Sequence, residues 1–249
     1  QFLPYERQLF YKQKQVADAL KHIGHVDLPE ILPIIGSDNQ TEYRNKLEFT
    51  FSNKRWLRKE DIPENGDFSS IPMNGLGFHI PKMFDKVLDI THCALQKEPS
   101  NKLRLAIRKY ALENKLSFFD LRKQEGFLRN LIIRTTEGPQ LMVVLVLFYD
   151  HPDKIHLLNY ISESFPEITS LFYVINGKAN DSISDLSPVL FKGDPFITEE
   201  MEGLQFRIGP KSFFQTNTRQ AHKLYSVARD FAGLTGEETV YDLYTGTGT

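Results

Sequence analysis

The sequence predicts an α+β domain that passes, near its C-terminal end, into the opening of an α/β nucleotide-binding unit. Three observations carry this. Strand-length apolar runs pair up across turn signals in the middle of the chain. The plainest pair is 127–136 and 141–149, split by Glu137-Gly138-Pro139-Gln140. Few helical patterns interrupt these runs. After Gly209-Pro210 the order becomes helix, strand, glycine loop, which is how an α/β unit begins.

Taken in order, residues 4–23 predict a helix with Tyr5, Leu9, Val16, Leu20 and Ile23 on one face. Pro4 suits its first turn and Gly24 its end. Residues 29–39 read as a loop. Leu47, Phe49 and Phe51 alternate with Glu48, Thr50 and Ser52, the pattern of a half-buried strand. A basic cluster around one aromatic follows: Lys54-Arg55-Trp56-Leu57-Arg58-Lys59. It is either a solvated hairpin end or a phosphate contact beside a stacking platform. Residues 60–74 are rich in Pro, Asn, Ser and Asp and read as a mobile loop. Short strands are expected at 75–80 and 87–90, and Cys93 follows. Residues 102–116 predict an amphipathic helix with Leu103, Ala106, Ile107, Tyr110 and Ala111 as its apolar stripe. Arg104, Arg108, Lys109 and Lys115 read as its solvated face. A helix at 154–164 and strands at 170–175, 189–191, 196–199 and 204–208 complete the middle.

Phe213-Phe214-Gln215-Thr216-Asn217 then leads into a helix carrying Ala221, Leu224, Tyr225, Ala228 and Phe231, which Gly233 should stop. Residues 239–243 read as a buried strand through Val240 and Leu243. It runs into Tyr244-Thr245-Gly246-Thr247-Gly248-Thr249, with Asp242 near the strand end. Glycines there would let the backbone approach a nucleotide-like ligand, although an ordinary turn fits the same residues. The sequence reads as a fragment that ends inside a cofactor site.

A hydrophobic content of 41% in 249 residues is enough for a sizeable core in one or two domains. The net charge of −2 means that a nucleic-acid partner must be met by local basic patches. The single cysteine excludes an intramolecular disulfide and fits a reducing, cytoplasmic setting. No apolar run has the length of a membrane span, so no membrane partner is expected.

Six segments occur in a telling order: Tyr43-Arg44-Asn45-Lys46; Gly77-Phe78; Val87-Leu88-Asp89-Ile90 leading to Cys93; Gly126-Phe127-Leu128-Arg129-Asn130 with Arg134; Phe214-Gln215-Thr216-Asn217; and Asp242-Leu243-Tyr244-Thr245-Gly246-Thr247-Gly248. In these the chain resembles the RNA uracil-5-methyltransferases, the S-adenosylmethionine-dependent enzymes that make 5-methyluridine in ribosomal and transfer RNA. The resemblance implies an α+β central domain joined to the start of a Rossmann-like α/β class I methyltransferase domain. It assigns 1–35 to a helix packing with the catalytic domain, 36–205 to a central RNA-binding domain, and 206–249 to the first part of the methyltransferase domain. An oligonucleotide-binding barrel and most of the methyltransferase domain would lie outside this sequence.

By the same resemblance Gln215, Tyr244 and Thr249 match positions that contact S-adenosylmethionine, with Asp242, Gly246 and Gly248 in the same loop. A glutamine offers a donor and an acceptor to a zwitterion, although Gln215 alone also suits a helix cap or a surface position. Thr245 departs from the family, where many members carry Cys. Cys93 matches the last of four cysteines that hold a [4Fe-4S] cluster in ribosomal RNA members. That tilts the substrate towards 23S ribosomal RNA rather than transfer RNA. The other three cysteines are missing here, so no cluster is expected in this chain, and a lone cysteine otherwise reads as a buried small residue. Arg44, Lys46, Lys54, Arg55 and Arg58 are the expected RNA contacts. The implied nucleophile and base would lie beyond Thr249, so no catalytic residue is expected within the sequence. A class I methyltransferase with a non-RNA substrate and a non-catalytic RNA-binding relative are the rival readings.

Overall fold

A computed structural model describes residues 3–64, 66–69 and 71–248. The chain divides into two compact units, Gln1–Glu42 and Tyr43–Thr249. The first is helix α1 (Tyr5–His22) and a strap laid along it. Tyr5 Oη accepts from Ser37 N at 2.6 Å, and Gln13 Oε1 accepts from Ile34 N at 3.0 Å. The helix forms where the periodicity places it, but it buries none of its residues.

The second unit is built on a seven-stranded sheet. Its strands are β1 (Lys46–Ser52), β2 (Gly75–Ile80), β3 (Met83–Leu88), β4 (Leu128–Thr135), β5 (Leu141–Leu147), β6 (Ser170–Ile175) and β7 (Val189–Gly193), in the order β3-β2-β1-β4-β5-β6-β7. Only β5 and β6 run parallel; helix α3 (Asp153–Ser164) makes the crossover that such a pair requires. Helix α2 (Ser100–Glu113) joins α3 on one face. There Leu103, Ile107, Ala111, Leu157, Leu158 and Ile161 pack on Phe49, Leu131, Val143 and Leu145.

On the other face lies the hairpin of β8 (Ile197–Met201) and β9 (Leu204–Ile208). With Phe214 it covers Ile132, Met142, Val144, Val146, Phe172 and Val174. Strands β4 and β5 are therefore covered on both faces, and every residue of each is buried. The continuous apolar run of β5 follows from that, whereas β4 also buries Arg129, Asn130 and Arg134; β1 alternates through Leu47, Phe49 and Phe51 inward up to the buried Ser52.

Two motif glycines have a purely geometric role. A Cβ on Gly77 would lie 1.8 Å from Leu88 O, inside the β2–β3 pairing. Gly126 has φ +112°, and a Cβ there would stand 2.4 Å from Phe118 O.

Three expectations change. Strand β3 spans Met83–Leu88 and not 87–90, because the Pro81-Lys82 turn starts it earlier. Arg104 is fully buried rather than solvated. It donates to the carbonyls of Leu76 and Ile90 and lies 5.2 Å from the Phe49 ring centroid. Arg108, on the next turn, pairs with Asp89. Helical periodicity cannot separate an arginine that caps buried carbonyls from one that faces water.

The third change is the glycine-loop strand. Helix α4 (Thr218–Ala232) forms and ends at Gly233 as expected. Residues 239–243, however, are irregular, with Val240 66% and Leu243 80% exposed. A strand needs a backbone ladder, and among the described residues no other strand pairs with this segment.

Candidate functional site

The first motif segment and the Phe-Gln-Thr-Asn loop meet, although some 170 residues separate them. Asn45, just ahead of β1, donates its backbone N–H to Thr216 O at 2.8 Å. Its side-chain amide donates to Gln215 O at 2.8 Å and to Thr218 Oγ1 at 3.0 Å. Thr218 Oγ1 in turn donates to the buried Glu199 carboxylate at 3.1 Å. Glu199 also receives the Glu137 backbone N–H, and burial pushes its pKa up. Asn217 caps α4 by accepting from Gln220 N. Arg134, across from Lys46 in the β1–β4 register, donates to Ser212 O at 2.7 Å. The loop is thus fixed to the sheet on both sides of Phe214, whose ring is buried in the second core.

Three cations, Arg44, Lys46 and Arg134, stand at this junction together with Glu48 and Glu199. Arg134 is buried, and among the described residues it meets carbonyl oxygens and no carboxylate. Desolvation lowers its pKa to about 10. Burial also lowers Lys46, and Arg134 and Arg44 push the same way against Glu48. Glu48 is raised, first by desolvation, with Lys46 opposing. A buried cation without an ionic partner is costly, and strongly perturbed groups of this kind mark candidate functional sites. In the sequence Arg134 and Asn45 stand out only as motif residues, and Glu199 does not stand out at all. Their hydrogen-bonding partners are remote in sequence and leave no local signal.

The five expected RNA contacts fall into two groups. Arg44 and Lys46 belong to the junction. Lys54, Arg55 and Arg58 lie past the other end of β1, on the order of 20 Å away along the strand. There they are already paired: Lys54 with Asp120 at 3.1 Å, Arg55 with Asp61 at 3.7 Å, and Arg58 with Glu60 at 3.1 Å. Asp120 is buried, and hydrogen bonds from Asn53, Lys54 and two backbone amides outweigh its desolvation, so its pKa is held well below the usual range.

The expected cofactor residues lie in two segments, the loop at Gln215 and the turn at 242–248. Gln215 is half-buried, and its backbone carbonyl is the part that Asn45 holds. Asp242 accepts from Tyr244 N within its own turn, and the Tyr244 side chain is 96% exposed. Gly246 and Gly248 have φ of +58° and +83°. Thr249 lies outside the described residues. An amide side chain, an aromatic ring and an amide-rich loop suit S-adenosylmethionine in kind.

Cys93 is buried at 5% exposure, and Asn101 bonds both its N–H and its carbonyl. Among the described residues no group of three or more His, Cys, Asp or Glu can hold a metal ion. One thiolate does not make an iron–sulfur site. Among the described residues no helix is long and apolar enough to cross a membrane.

Comparison with known proteins supports the resemblance carried by the motifs. No family model matches the chain. A protein of Bacteroides thetaiotaomicron named as an RNA methyltransferase is 56% identical over all of this chain and 55% of its own length. One from Porphyromonas gingivalis with the same name is 57% identical over all of this chain and 54% of its length. One from Chlorobaculum tepidum is 40% identical over 98% and 51%. Among solved structures, the tRNA (uracil-54, C5)-methyltransferase of Pyrococcus abyssi, in complex with S-adenosyl-L-homocysteine, superposes with a TM-score of 0.68 at 25% identity. The match covers 99% of this chain and 52% of that one. Over its full length the chain is thus homologous to proteins named RNA methyltransferases, spans about half the length of the curated relatives it matches, and shares across that span the fold of a tRNA uracil-5-methyltransferase.

Proposed function

We propose that the protein containing this chain transfers a methyl group from S-adenosylmethionine to carbon 5 of a uridine in RNA. The observation that carries this reading is the junction at Asn45. It ties the loop bearing Gln215 to the segment bearing Arg44 and the start of β1 at Lys46, beside Arg134, which donates to backbone carbonyls. In this reading the three cations meet the RNA phosphates next to the bound cofactor, where the positive field adds affinity without reading sequence. Gln215, Tyr244, Thr249 and the glycine loop at 246 and 248 hold the cofactor, with Asp242 fixing the loop. Bound S-adenosylmethionine supplies the electrophilic methyl group. The residues of this chain bind and orient the two substrates.

Two RNA classes stay in view. Cys93 favours ribosomal RNA, through the cluster it would help to hold in a longer chain with three more thiolates. The Pyrococcus abyssi protein acts on transfer RNA, which favours that substrate instead. The test is to incubate the whole protein with labelled S-adenosylmethionine and, separately, ribosomal and transfer RNA from cells lacking the gene. Label in 5-methyluridine from one pool is expected and names the substrate. Label in neither pool, with transfer to a small molecule or protein, would contradict the reading.

A further inference from the structure

The edge of the sheet at β3 carries two aromatic rings, each paired with a cation. Lys54 and Trp56 bond the backbone of Val87, so the continuation of β1 covers this edge. Asp85 and Val87 point inward and are buried, whereas Phe84 and Lys86 point outward. Lys86 Nζ lies 5.4 Å from the Trp56 ring centroid, and the Arg122 guanidinium lies 5.0 Å from that of Phe84. Phe84 is 59% exposed, a large apolar side chain left in water on a well-formed strand. Arg122 is fixed by the buried Asp85, so the cation over one face of Phe84 is held in place. Phe84 and Lys86 are two residues apart on one side of the strand, roughly 6.6 Å.

Aromatic rings on a sheet with guanidinium and ammonium groups beside them are how proteins stack unpaired nucleobases while tracking the backbone. A duplex hides its base faces and offers nothing to such rings. We infer that Phe84 and Trp56, with Arg122 and Lys86, form a platform on which consecutive unpaired nucleotides of the substrate RNA stack, apart from the junction at Asn45. The inference rests on the RNA reading above.

Trp56 is the only tryptophan in the sequence, so intrinsic fluorescence reads this surface directly. The purified 249-residue chain is titrated with an oligouridylate of about ten nucleotides and with a duplex of equal length. Trp56 emission and retention of labelled RNA on a filter are both followed. The expected result is saturable quenching by the single strand and little by the duplex. Phe84→Ala should weaken single-strand binding about tenfold, Phe84→Tyr should keep it, and Arg122→Gln should lower the salt slope by about one. If RNA is retained while Trp56 emission and Phe84→Ala behave as in the parent, the platform falls and the RNA reading stands. Equal affinity for the duplex also overturns the platform. If neither RNA is retained, the platform falls, and the labelled-methyl assay on the whole protein decides the RNA reading separately. A Trp56 shift that follows protein concentration without RNA would instead assign the surface to a second copy of the chain.

Discussion

Strand β5 and the stretch from Gly233 to Gly248 carry similar apolar residues with opposite fates. All seven residues of β5 are buried, between helices on one face and the β8–β9 hairpin on the other. In the later stretch Leu234, Val240, Tyr241, Leu243 and Tyr244 are all exposed, as are Leu224 and Phe231 on α4. Burial of apolar surface stabilises at about 25 cal/mol per Å² only where another surface receives it. Among the described residues β5 has such surfaces on both sides, and the glycine loop has none. Sequence pattern thus specifies that a face is to be buried and leaves open what buries it.

The largest expected effect that sharpens the contrast is at Arg129. It is fully buried, donates to the carbonyls of Asn176, Lys178 and Asn180, and pairs with Asp181 at 2.9 Å. Arg129→Met should cost about 4 kcal/mol, because several backbone acceptors lose their donor together. Urea unfolding measures it, and a loss under about 1 kcal/mol would show that water replaces the guanidinium. Next, Leu145→Ala in β5 should cost about 3 kcal/mol through its cavity. Leu243→Ala should cost less than about 0.5 kcal/mol in the same chain. Equal losses would break the contrast.

Asn45→Ala removes two side-chain hydrogen bonds and should cost about 1–2 kcal/mol. Faster hydrogen exchange in residues 215–220 should accompany it, and unchanged exchange there would remove the junction from the account. The smallest effect is on pH. The Glu202 pKa is lowered to about 2 by hydrogen bonds from Arg229 and His222, which tie the β8–β9 turn to α4. A depressed carboxylate stabilises above its ordinary value of 4.5, and the contribution disappears as pH falls from there towards 2. Exposed pairs contribute little, so α4 amides should lose protection over that window while β5 amides keep theirs. Uniform loss in both would contradict the assignment.

Much of the fold was legible in the sequence because its signals are local. The β6 and β9 spans match the expected ranges residue for residue, and Asn217 and Gly233 bound α4. What was illegible depends on distant partners. Arg104 looks like a surface cation until the carbonyls it meets are known. The Lys54 ion pair depends on Asp120, 66 residues away in the sequence. The strand expected at 239–243 had the right residues and, among the described residues, no ladder to join.

The most direct test of the central claim is site-mapped nucleoside mass spectrometry on RNA from cells with and without the gene. Loss of 5-methyluridine from a single position, restored by the parent gene and not by one carrying Arg134→Gln with Lys46→Gln, is the predicted result. An unchanged 5-methyluridine map in ribosomal and transfer RNA would contradict the account.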